Sequence, residues 1–77
     1  MLKSLHNWTA QDVVKFLRKY GFQNTHIRGS HHYYSCRYEG KDRQVSVPFH
    51  GKKTIKARTL NSIMSQSGIS KHKWLNE

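Results

Sequence analysis

Acidic side chains are scarce in this 77-residue chain: only Asp12, Glu39, Asp42 and Glu77, against 14 lysines and arginines. Apart from Glu39 and Asp42, which share a turn-like stretch, the four are scattered. That excludes paired-carboxylate glycosidase chemistry and a carboxylate-clamped magnesium or calcium ion. Catalysis, if there is any, falls to His, Ser, Tyr, Lys or Arg. The single cysteine, Cys36, excludes an internal disulfide framework and a paired-cysteine zinc site, and a reducing cytoplasm is the expected setting. No apolar run approaches the roughly 20 residues that span a bilayer, and residues 1–8 lack the apolar core of a secretory signal. With 35% apolar residues in so short a chain, residues 1–77 are expected to form one domain around a small core.

What the chain does have is positive charge, a formal net +10. Such an excess points to a polyanionic partner, nucleic acid before membrane surface. Neither expected helix carries a basic amphipathic face broad enough for membrane binding, so no membrane partner is expected.

The chain opens with a helix signal. Thr9 is a candidate N-cap with Asp12 three positions on, and Trp8 and Val13 stand where a hydrophobic staple would close. Val13, Phe16, Leu17 and Tyr20 then recur with helical period, and Gly21 is a stop. Residues 22–28, 31–38 and 43–48 read as three antiparallel strands, separated by Gly29-Ser30 and by Glu39-Gly40-Lys41-Asp42. On the middle strand His32, Tyr34, Cys36 and Tyr38 share one face, and His31, Tyr33, Ser35 and Arg37 the other. Val45 and Val47 face the core, as do Tyr34, Phe16 and Phe22. A second amphipathic helix is expected at about 56–67, with Leu60, Ile63 and Met64 inward and Gly68 closing it. Residues 69–77 read as a short third helix or a tail, part of which packs through Trp74 and Leu75. No repeat, linker or low-complexity tract appears. The expected fold is α+β, ordered α-β-β-β-α, with two helices on one face of a three-stranded antiparallel sheet.

Two features carry chemistry. Lys52, Lys53, Lys56 and Arg58 crowd the start of the second helix, where the helix dipole already favours anions. Cations there work against the helix, a local conflict that a bound phosphate would resolve; the plainer alternative is a solvated charged loop. Lys15, Arg18, Arg28, Arg37 and Arg43 add to the excess and tilt the reading to nucleic acid bound with strong salt dependence. The second feature is Gly29-Ser30-His31-His32-Tyr33-Tyr34. A turn glycine and a serine deliver His31 to a strand start, on a face shared with Tyr33, a stacking surface for a base, and with Arg37. Cleaving an RNA phosphodiester requires a proton taken from the 2′-hydroxyl and one given to the 5′-oxygen. An imidazole performs either transfer without metal, and cations stabilise the charged intermediate. Against this stands the reading of His31 and His32 as ordinary strand residues. A metal site of His31, His32 and His50 is disfavoured because strand neighbours point to opposite faces, and Ser30 lacks the acidic third group of a hydrolytic triad. Cys36 reads as a small core residue.

Arg28-Gly29-Ser30-His31-His32, preceded by Gly21-Phe22 and followed by Val45-Ser46-Val47-Pro48, Thr59-Leu60-Asn61-Ser62-Ile63 and Ser67-Gly68-Ile69, resembles the HicA toxin family, small RNA-cleaving toxins of bacterial toxin–antitoxin pairs. The resemblance spans about residues 9–69, and residues 1–8 and 70–77 extend beyond it. It implies a fold similar to the double-stranded-RNA-binding domain and metal-free, cofactor-free cleavage of messenger RNA. It also implies growth inhibition and a HicB-like antitoxin as partner, with no DNA expected for the toxin alone. The family's catalytic histidine corresponds to His31, with Gly29 and Ser30 positioning it. No catalytic role is carried to His50; contact with RNA or with His31 is left open for it. Arg28, Tyr33, Arg37, Lys52, Lys53 and Lys56 are the expected RNA contacts, chosen on charge and stacking. A basic toxin suits an antitoxin with an acidic binding surface. The alternative function is a non-catalytic RNA-binding module, which would leave the Gly-Ser-His element unexplained.

Overall fold

The computed structural model describes residues 7–76; residues 1–6 of the N-terminal extension and Glu77 lie outside it. The element order is α1 (Ala10–Lys19), β1 (Gln23–Arg28), β2 (His31–Tyr38), β3 (Lys41–Pro48), α2 (Ala57–Ser67) and α3 (Lys71–Leu75). The expected α-β-β-β-α order is present, with α3 added at its end. The three strands form an antiparallel sheet in the order β1-β2-β3, so both β1 and β3 are edges.

α1 begins where its sequence signals place it. The Thr9 hydroxyl accepts from the Asp12 N–H at 3.2 Å, and the Asp12 carboxylate accepts from the Thr9 N–H at 3.0 Å. Two otherwise orphaned donors are thereby satisfied reciprocally. Val13, Phe16 and Leu17 are buried, and Arg18 and Lys19 lie in the last turn, where cations complement the dipole. α2 covers the sheet with Leu60, Ile63 and Met64 and ends at Gly68 in a left-handed cap. From α2, the Gln66 side chain accepts the Ser46 N–H at 2.9 Å, covering part of the open β3 edge.

The buried side chains form one core cluster, with an aromatic group inside it. Trp74 stacks on Phe16 with centroids 4.0 Å apart, and Trp8 meets both edge-on, at 5.3 Å from Trp74 and 5.9 Å from Phe16. Both tryptophans are packing anchors, and Trp74 settles the C-terminal segment as a docked helix. Lys73 of the same helix donates to the Tyr38 hydroxyl at 3.5 Å, and that bond holds its ammonium above the usual lysine range. Tyr34, Val45 and Val47 are the sheet's buried contribution. Cys36 is half-buried, and its Sγ donates weakly to the Tyr20 carbonyl at 3.6 Å.

Three boundaries differ from the sequence reading. β3 starts at Lys41, because the hairpin turn is the two residues Glu39 and Gly40 with φ of 50° and 79°. Both positive angles match a turn whose twist continues that of the strands, so Lys41 and Asp42 join the ladder opposite Tyr38 and Arg37 despite weak strand propensity. Phe22 precedes β1 instead of opening it, and Lys56 caps α2 from outside. β1 also carries a bulge: the register slips at Thr25, between the pairs Asn24–Tyr34 and His26–Tyr33. The Asn24 amide and Thr25 hydroxyl both donate to the Tyr33 carbonyl, at 3.1 and 3.3 Å.

Replacing Trp74 with Ala removes the stacking partner of Phe16 and should cost about 3–5 kcal/mol, a large share of a small domain's stability; urea unfolding followed by fluorescence of Trp8 checks it. Glu39→Asn puts a residue that tolerates positive φ in a position where Glu is strained, and should raise stability by about 0.5–1 kcal/mol, read as a higher urea midpoint.

Candidate functional site

The chemistry-bearing residues gather at one end of the sheet. β1 and β2 are joined by Gly29-Ser30, with Arg28 and His31 facing each other across the ladder. Gly29 has φ of 59°, which a side chain would strain, and this two-residue turn fixes His31 as the first residue of β2. His31 is flanked on its other side by Pro48, the last residue of β3. Just beyond, the Phe49 N–H donates to the Ser30 carbonyl at 2.7 Å, tying the exit of β3 to the turn. On the opposite face of β2, the Phe49 ring stacks on His32 at 3.9 Å.

The chain then makes a second tight turn. Gly51, with φ of 66°, lets the Lys53 N–H reach back to the His50 carbonyl at 3.4 Å. Thr54 pairs with Thr9, and the Ile55 N–H donates to the Trp8 carbonyl at 2.6 Å. Thus pinned, the segment leads into α2 at Lys56, whose side chain makes no capping bond, and no acid lies in the helix's first turn. The N-terminal N–H groups of α2 therefore lack the usual side-chain acceptor, and cations stand where anions are favoured.

Between these segments lies an open cleft of about 550 Å³. It is lined by His31, Pro48 and His50 from the sheet end and the turn after it, and by Lys53, Thr54, Ile55, Lys56 and Thr59 from the segment that leads into α2 and its first turn. Its lining residues bring two histidines, two lysines and two threonines together with the apolar Pro48 and Ile55. Such a set suits a phosphate flanked by groups that exchange protons.

The sequence candidates divide accordingly. His31, Lys53 and Lys56 meet in the cleft, with Gly29 and Ser30 forming the turn behind His31 and Arg28 beside it. Lys52 is exposed on the adjoining turn. Arg37 is not brought to this site: it sits near the far end of β2, pairing with Asp42 at 3.2 Å. Tyr33 lies on the His31 face of β2, but one side of its ring is already stacked on His26, 4.3 Å away and nearly parallel. Sequence reasoning passed over His26 because the bulge at Thr25, which aligns it with Tyr33, has no clear local signal. His50, Thr54 and Thr59 also enter the cleft; the signal for His50 was its place two residues past a strand-ending proline. Arg43 is spent on packing, its guanidinium lying against Gly68. Among the described residues, no group of three or more His, Cys, Asp or Glu side chains could hold a metal ion. His32, on the far face of β2, is engaged by Phe49.

The family model described as HicA toxin of bacterial toxin–antitoxin matches residues 10–69 of the 77-residue chain. The chain belongs to the HicA toxin family. Membership makes it a toxin of a toxin–antitoxin system, for which an antitoxin partner is implied. No curated protein matches it. The match covers every residue that lines the cleft of this HicA-family chain, and runs from the start of α1 through Gly29-Ser30-His31 to the end of α2. Trp8 precedes it and α3 follows it, yet both pack into the core. No helix among the described residues is long and apolar enough to cross a membrane.

Proposed function

We propose that this HicA-family toxin is a metal-independent endoribonuclease that cleaves messenger RNA in the cleft at the open end of its sheet. Through that activity it inhibits translation and growth. The observation that carries the reading is the meeting of His31 with Lys53, Lys56 and the uncapped start of α2 around one cleft. The lysines and helix N–H groups bind the scissile phosphate and stabilise the charge that builds on its oxygens. His31 transfers a proton to or from the ribose-phosphate backbone. Gly29 and Ser30 hold the imidazole at the strand end, and Arg28 and Lys52 extend the cationic track to neighbouring phosphates. Tyr33, half-buried and stacked on His26, is the stacking surface for a base. Arg37, near the far end of β2 from His31, stands apart from this group.

The antitoxin on this reading is a HicB-like protein whose acidic surface covers the cleft and excludes RNA. A purely RNA-binding module would use the same charge but has no need of an imidazole facing two lysines. Incubating purified protein with RNA in EDTA separates the two: strand cleavage is expected, and binding without cleavage would overturn the nuclease.

His31→Ala should lower cleavage by at least about 10²-fold, the lower end for losing a proton-transfer group, and abolish growth arrest on expression. The circular dichroism spectrum should not change, because His31 is exposed. In that inactive background, Lys53→Ala and Lys56→Ala should each weaken binding to single-stranded RNA. Each should also flatten the slope of log affinity against log salt by about 0.7, measured by fluorescence anisotropy at several salt concentrations.

A further inference from the structure

We infer that His50 is the second proton-transfer group of the cleft, sharing with His31 the two proton transfers at one scissile phosphate. This rests on the ribonuclease reading above.

Metal-free cleavage proceeds by attack of the ribose 2′-oxygen on phosphorus as the bond from phosphorus to the 5′-oxygen breaks. One proton leaves the 2′-hydroxyl and one is added to the departing 5′-oxygen. The products are a 2′,3′-cyclic phosphate and a 5′-hydroxyl, and no water, metal or oxidant is consumed. The attacking and leaving oxygens lie on opposite sides of phosphorus, so one imidazole is poorly placed to serve both. Among the described residues lining the cleft, His31 and His50 carry the side chains whose class exchanges protons near neutral pH.

The fold holds these two imidazoles on separately fixed segments. His31 opens β2 beside Pro48, and His50 follows Pro48 by two residues. The intervening Phe49 is locked twice, by its main-chain bond to Ser30 at 2.7 Å and by its ring on His32 at 3.9 Å. The Lys53 N–H bonded to the His50 carbonyl closes the turn on the other side. His50 is therefore held in place although its side chain is exposed. The charged groups that line the cleft with it are Lys53, in the same turn, and Lys56 at the start of α2, with Arg28 beside His31 on β1. No acidic side chain lines the cleft among the described residues.

The test uses an RNA linkage that the native protein cuts, made in two forms that differ at the 5′-bridging atom, oxygen or sulfur. A thiolate departs without protonation, so losing the general acid matters little for the sulfur form, whereas losing the base still matters. Native protein, His31→Ala, His50→Ala and the bulk-preserving His50→Gln are compared on both, with folding checked by circular dichroism and binding by anisotropy. On the oxygen linkage both His50 variants should bind RNA normally and cleave about 10²–10⁴-fold more slowly. On the sulfur linkage one histidine position should recover to nearly the native rate and the other should not, which assigns acid and base. Near-native cleavage of the oxygen linkage by both His50 variants would overturn the inference. So would a loss that sulfur restores in neither the His31 nor the His50 variants. In those cases native cleavage persists and the ribonuclease reading stands. Failure of the native protein to cut any RNA would overturn both.

Discussion

The hydrogen bond from the Ile55 N–H to the Trp8 carbonyl, 2.6 Å long, is the joint on which the cleft depends. Ordering a loop costs about 1–2 kcal/mol per residue in backbone entropy, and the segment between β3 and α2 has few apolar side chains to offset it. Trp8 supplies the anchor from outside that segment. Its indole is buried against Phe16 and Trp74, its carbonyl holds Ile55, and the neighbouring Thr9 pairs with Thr54 while capping α1. The aromatic core thus stabilises the helices and also fixes where Lys53 and Lys56 stand relative to the sheet. The far wall has its own anchor, the Phe49–Ser30 bond, so each side of the cleft is fastened to a different part of the fold.

Positive charge is distributed unevenly over this frame. A net charge of +10 on a body with an 11.5 Å radius of gyration places many cations within a screening length of one another, about 8 Å at physiological salt. Some are used internally: Arg43 lies against Gly68, Arg37 faces Asp42, and Lys73 meets Tyr38 and Tyr20. The cations at the start of α2 have no such use. They stand against the helix dipole with no capping side chain, an arrangement that an arriving anion would stabilise. A site that is electrostatically incomplete by itself suits a polyanion, whether RNA or an acidic protein surface.

The fold was largely legible because its signals are local. The Thr9-Asp12 box, the helical period through Phe16 and Leu17, the turn at Gly29-Ser30 and the stop at Gly68 all act within a few residues of where they are written. The extent of β3 was missed because the Glu39-Gly40 turn overrides the poor strand propensity of Lys41 and Asp42. Of the site, His31 and the lysines were legible from type and position. That His31 and His50 share a cleft was not, because it depends on Phe49 and Trp8 closing contacts between segments distant in sequence. Arg37 illustrates the converse: sharing a strand face with His31 says nothing about distance along it, and from one end of β2 to near the other that distance is about 20 Å.

The acids show the same division of labour. Asp12 is committed to capping α1, Asp42 faces Arg37, and Glu39 sits in the hairpin turn at the opposite end of the sheet from Gly29-Ser30. None lines the cleft. A carboxylate there would repel an incoming phosphate and pair with Lys53 or Lys56, removing the charge that attracts it. On the proposed function it would also be superfluous, because there the imidazoles move the protons and the ammonium groups neutralise the phosphoryl oxygens. On the proposed function, the scarcity of acids therefore serves the site more than the fold: among the described residues Asp12 satisfies a backbone donor and Asp42 a distant arginine, and the charged side chains that line the cleft are lysines.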